Sequence, residues 1–90
     1  MGFWAIKHIG DRQFDDAKAS DDWEACMVAE HWCERLYGPG KLGDEPSDVE
    51  VRWCDPGNGV LTYGLPKRYR VAVEMGPEDG LPYFIGEEIA

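Results

Sequence analysis

The stretch from Ser20 to Tyr37 constrains this chain most, because it reads as its only long helix. Ala25, Cys26, Ala29, Trp32, Cys33, Leu36 and Tyr37 recur at the three- and four-residue spacing that lines one helical face. Glu24, Glu30, His31, Glu34 and Arg35 fall on the other side. Ser20 or Asp21 can accept the free first-turn amides as N-cap, and Asp21 with Glu24 has the spacing of a capping box. Asp21, Asp22 and Glu24 complement the positive end of the helix dipole, and Arg35 the negative end. Gly38 then supplies a left-handed residue past the last turn, and Pro39 blocks continuation. This register puts Trp32, Cys26 and Cys33 in the core and predicts thiols that stay unreactive until the protein unfolds.

Ninety residues predict one α+β domain, 1–90, since a chain this short cannot build two cores. Four Trp, four Tyr and three Phe are a large apolar complement for that size. Eighteen acidic residues against nine basic give a net charge of −9. That field repels nucleic acid and anionic membranes, and attracts proteins with basic grooves. Cys26 and Cys33 are separated by about 10 Å of helical rise, too far for a disulfide, so reduced thiols and a cytoplasmic setting are expected. The N-terminus shows no signal-peptide series, and no apolar run reaches the ~20 residues of a membrane span.

Along the chain, Phe3 to Ile9 alternates as a strand, with Trp4, Ile6 and His8 on one face. Gly10-Asp11 is a turn signal. Arg12 to Ala19 is expected to return as a second strand that brings Phe14 to the apolar face of the first, with an early helical turn from Asp15 as the rival. The Gly- and Pro-rich segment 38–47 reads as a loop. Asp48 to Cys54 alternates again, with Val49, Val51 and Trp53 inward and Glu50, Arg52 and Cys54 opposite. Asp55 to Gly59 is a turn centred on Asn58-Gly59, the best hairpin dipeptide of the chain. Val60 to Tyr63 begins a return that Gly64-Leu65-Pro66 interrupts. Arg68 to Met75 is a further strand, with Tyr69, Val71, Val73 and Met75 inward, and Leu81 to Ile85 is a short edge strand or a docked tail. The order is ββαββ with a possible fifth strand. That predicts a small antiparallel sheet of four or five strands with one long helix on one face.

The chemistry-bearing residues form no catalytic frame. His31 and Cys33 are two apart on a helix and point in directions about 160° different, and no C-x-x-C pair occurs, so neither a metal nor another cofactor is expected. Cys54 is the least buried thiol by pattern. Nothing in the sequence pairs it with His8 or His31, and the negative field opposes an ionised thiol. Gly57-Asn58-Gly59 lacks the residues of a phosphate loop. Two surface features remain. Lys67, Arg68 and Arg70 form a basic knot. Asp15, Asp16, Asp21, Asp22 and Glu24 are expected to converge where the second strand meets the helix, with Glu30 and Glu34 extending the band about 6 Å apart along the exposed face. Carboxylates so spaced approximate the phosphates of one nucleic-acid strand, so the band is expected to bind a basic groove in a partner protein or ribonucleoprotein.

In size, acidity and element order the chain resembles the small bacteriophage proteins that act against CRISPR defence, the anti-CRISPR proteins, a group without a shared motif. The resemblance implies a non-enzymatic inhibitor in the host cytoplasm that binds a CRISPR effector, blocking nucleic-acid binding or nuclease recruitment. A generic acidic interaction module, antitoxin-like or a virion accessory protein, is the alternative.

Overall fold

The computed structural model describes residues 2–38, 45–57 and 62–89. Its elements run β1 (Phe3–His8), β2 (Asp15–Asp16), α1 (Ala25–Tyr37), β3 (Ser47–Asp55), β4 (Thr62–Tyr63), β5 (Lys67–Met75) and β6 (Pro82–Ile89). The sheet is antiparallel with order β2-β1-β3-β5-β6, and β4 pairs with the far end of β3. One helix lies across one face, so the fold is α+β. No helix among the described residues is long and apolar enough to cross a membrane.

Alternation decides the two faces. Ile6, Val49, Val51, Tyr69, Val71 and Phe84 point toward Ala25, Val28, Ala29 and Cys33 of α1 and make the core. The helix crosses obliquely from Gly86 in β6, which Cys26 and Glu30 hold, to His8 in β1, where the His8 Nε2 and Tyr37 Oη are 2.5 Å apart. Helix and sheet approach closely at Gly86. A Cβ there would lie 3.2 Å from the Cys26 Sγ and 3.3 Å from the Glu30 Cγ.

The helix begins later than its sequence signals predict. Ser20 to Glu24 is a turn and an extended residue, with the Trp23 amide bonded to the Ser20 carbonyl at 3.2 Å. Glu24 is the N-cap and makes no side-chain cap bond. The reason is local competition: the Ser20 hydroxyl donates to the Asp22 carboxylate, so the would-be Ser20 cap is engaged outside the helix. Leu36 is exposed and Trp32 only half-buried, against expectation. Leu36 sits on the apolar stripe but in the last turn, beside a β2 of two residues that ends before it can cover the side chain. Val28, outside the expected face, is fully buried.

The second strand shrinks to Asp15–Asp16, and the rival helical turn does not form. The Ala17 amide bonds to the Trp4 carbonyl, and the Lys18 amide to the Asp16 carboxylate with φ 52° at Lys18, which turns the chain off the sheet. Phe14 lands on the helix-free face, over Lys7 and Arg52, and not against the core. The Gly10 turn forms as read, with φ 106°. Met75, expected inward, is exposed at the end of β5, where it still pairs with Pro82 of β6. β6 is a full strand of eight residues, longer than Leu81–Ile85. The left-handed Gly38 is present with φ 71°. Pro39 with the rest of the loop through Asp44, and the Asn58-Gly59 turn, lie outside the described residues.

Candidate functional site

The acidic residues of the expected band divide into two groups. Asp15 and Asp16 are exposed on the edge strand and share a shallow groove with Lys18, Trp32, Arg35 and Leu36, near the last turn of α1. Asp21 and Asp22 are exposed in the turn before the helix, and Glu24 is exposed at its head, separated from the last turn by about 18 Å of helical rise. They follow the chain around the helix rather than converging, because β2 ends early and residues 17–24 carry the chain away. Glu34 is exposed. Glu30 is not: half-buried, its Oε2 accepts the Gly86 amide at 2.7 Å and so stitches helix to sheet. None of these carboxylates lies within ion-pair distance of a cation among the described residues. The Ser20 hydroxyl holds Asp22 below the usual carboxylate range.

The ion-paired Lys and Arg residues lie elsewhere. On the helix-free face the nearly buried Glu50 faces Lys7 Nζ at 3.7 Å, Arg52 Nη2 at 3.9 Å and Arg68 Nε at 3.5 Å. Expected to face outward with Arg52 and Cys54, Glu50 does so, yet only 6% of it is exposed. The Arg52 guanidinium lies over the Phe14 ring at 4.8 Å and the Tyr63 ring at 5.7 Å. Arg70 takes Asp48 through two bonds of 2.9 and 3.2 Å, which holds Asp48 below its usual range. The basic knot is thus largely matched within the sheet.

A pocket of about 720 Å³ opens at the head of α1. Trp4, Trp23, Trp53, Tyr69 and Val51 wall it, and Glu24, Glu88 and Lys67 edge it. Strand register explains the assembly: Trp4 and Trp53 are cross-strand partners, with rings 5.1 Å apart in edge-to-face contact. Trp23 folds in from the turn that replaces the helix start, its ring 4.8 Å from His31. The Trp4 Nε1 is buried with no hydrogen-bond partner among the described residues. Burial, together with nearby Glu88, Cys26 and Glu24, pushes the Tyr69 hydroxyl up. The paired inward Trp4 and Trp53 were visible as alternation in the sequence, but the pocket depends on where Trp23 and β6 go.

The thiols are set for silence. Cys54 is fully buried, not the most accessible, and Cys26 is the partly exposed one. Burial pushes all three up, Cys33 to about 12. His8 lies between the Tyr37 hydroxyl and, 3.7 Å from its Nδ1, the Asp11 carboxylate, and its ring packs on Trp32. That arrangement ties the end of β1 to the end of α1. Among the described residues no cluster of three His, Cys, Asp or Glu could hold a metal ion.

Compared with protein-family models, curated proteins and solved structures, the chain matches none.

Proposed function

We propose that the protein is a non-enzymatic inhibitor whose unpaired carboxylates seat in a basic nucleic-acid groove of a host protein complex. The anti-CRISPR resemblance makes a CRISPR effector the partner to test. The segregation of charge carries this reading. Lys7, Arg52, Arg68 and Arg70 are matched to Glu50 and Asp48 on the helix-free face, so they do little to neutralise the carboxylates on the helix side. Asp15, Asp16, Asp21, Asp22, Glu24 and Glu34 remain exposed without ion pairs among the described residues. A surplus of unneutralised negative charge opposes the compact state, and a partner with a basic groove would offset it. Such a protein competes with phosphates for the same Lys and Arg side chains, so inhibition is competitive with nucleic acid. Burial that raises the pKa of all three thiols disfavours a thiolate nucleophile.

The test is a gel-shift assay of target-DNA loading by purified CRISPR effector complexes. Stoichiometric protein should abolish loading by a susceptible complex. The variant D15K/D21K/E34K should lose that effect by roughly tenfold or more with an unchanged circular dichroism spectrum. Among the described residues none of the three side chains makes a hydrogen bond that the fold uses, so a variant that inhibits as well as wild type would sink the reading.

A further inference from the structure

The pocket at the head of α1 has a composition that selects its occupant. Its walls are π-faces: Trp4, Trp23, Trp53 and Tyr69. Its rim sets the carboxylates of Glu24 and Glu88 against one ammonium, Lys67, and neither carboxylate is in an ion pair among the described residues. Aromatic faces attract a cation through the ring quadrupole, and a carboxylate at the edge completes its hydrogen bonding. A planar guanidinium serves both, stacking on a ring while its fork of N–H donors reaches two carboxylate oxygens. A compact ammonium serves the first less well.

The protein already contains this recognition in filled form on its opposite face. There Arg52 lies over Phe14 and Tyr63 with its Nη2 3.9 Å from Glu50. We infer that the helix-head pocket grips the side chain of an arginine on a basic protein partner. The inference rests on the proposed function in that it says how the basic partner is anchored. At about 720 Å³ the pocket is wider than one side chain, so residues flanking the arginine enter with it.

The experiment uses the full chain and a capped Gly-Gly-Arg-Gly-Gly peptide titrated into the millimolar range, followed by the indole N–H resonances of the four tryptophans. Trp32 packs on His8 outside the pocket and serves as the internal control. The indoles of Trp4, Trp23 and Trp53 should move saturably while that of Trp32 stays in place. The peptide with citrulline for arginine, which keeps the shape and loses the charge, should bind roughly tenfold more weakly, and the double substitution E24Q/E88Q should weaken the arginine peptide to a similar degree. Equal binding of the citrulline peptide would mean an apolar slot, and equal binding of a lysine peptide or of tetramethylammonium would mean a generic cation box. Either result overturns the assignment, as do indoles that do not move. No effector complex enters this assay, so its failure leaves the groove reading to stand or fall on D15K/D21K/E34K.

Discussion

Glu30 and Glu34 stand one helical turn apart and look alike in sequence, yet the structure gives them opposite roles. The Glu30 Oε2 accepts the Gly86 amide at 2.7 Å, and the Cys26 thiol, one turn earlier, donates to the Gly86 carbonyl at 3.4 Å. Together they occupy both backbone groups of a residue on the outermost strand, which also blunts that sheet edge. Replacing Glu30 by Ala removes a hydrogen bond with an ionised acceptor, worth about 1.5–3 kcal/mol when buried. Because Glu30 is only half-buried, the lower end applies, and the better helix propensity of Ala returns roughly 0.3 kcal/mol. The net loss is about 1 kcal/mol, or a fall in Tm of roughly 4–8 °C for a chain of this size. Glu30→Gln, which keeps an oxygen acceptor, should lose about half as much, while Glu34→Ala should stay within about 0.5 kcal/mol of wild type. Thermal and urea unfolding followed by circular dichroism measure all three. Equal stabilities for the Ala variants at the two positions would refute the stitch.

At alkaline pH the protein should lose stability. The thiols and Tyr69 fold as neutral groups with raised pKa values, Cys33 to about 12. Stability is therefore full below the unfolded thiol value near 9 and falls as pH climbs from there toward 12, with Cys33 alone contributing up to about 1.4 kcal/mol per pH unit. Urea midpoints across that range should drop more gently for Cys33→Ala, and identical slopes would refute the assignment. Under native conditions a thiol reagent should reach Cys26 first and leave Cys33 and Cys54 untouched, whereas rapid labelling of Cys33 would contradict the helix register. Glu50→Ala strands Lys7, Arg52 and Arg68 and should cost about 1–3 kcal/mol, less than a fully buried pair because its partners are partly wet. A cost under about 0.5 kcal/mol would show that the cluster is held by packing alone.

The parts of the fold legible in sequence were those in which burial follows a simple period. Val49, Val51, Tyr69 and Val71 alternate and are buried, and Ala25, Ala29 and Cys33 keep the helical spacing and are buried. The errors fall where side chains answer to each other instead of to the backbone. Ser20 reads as a helix cap but bonds to Asp22 instead, and the helix starts at Ala25. β6 escaped notice beyond Ile85 because Gly86, Glu87 and Glu88 are poor strand formers, yet it is anchored by the Gly86 clamp and by pairing along β5. Glu30 counted as a surface acid because nothing local marks its partner, which lies 56 residues away. The pocket was illegible for the same reason, since Trp23 and Glu88 meet only once the turn and β6 are in place.

Unpaired carboxylates are proposed to steer the protein into a basic groove, and the salt dependence of association tests this most directly. Stopped-flow binding to a susceptible effector complex should slow by roughly tenfold or more between low and physiological salt, since exposed charges are screened beyond about 8–10 Å. D15K/D21K/E34K should associate slowly at low salt and show little further salt dependence. An on-rate for wild type that is flat with salt, or a variant that keeps the wild-type slope, would contradict the claim.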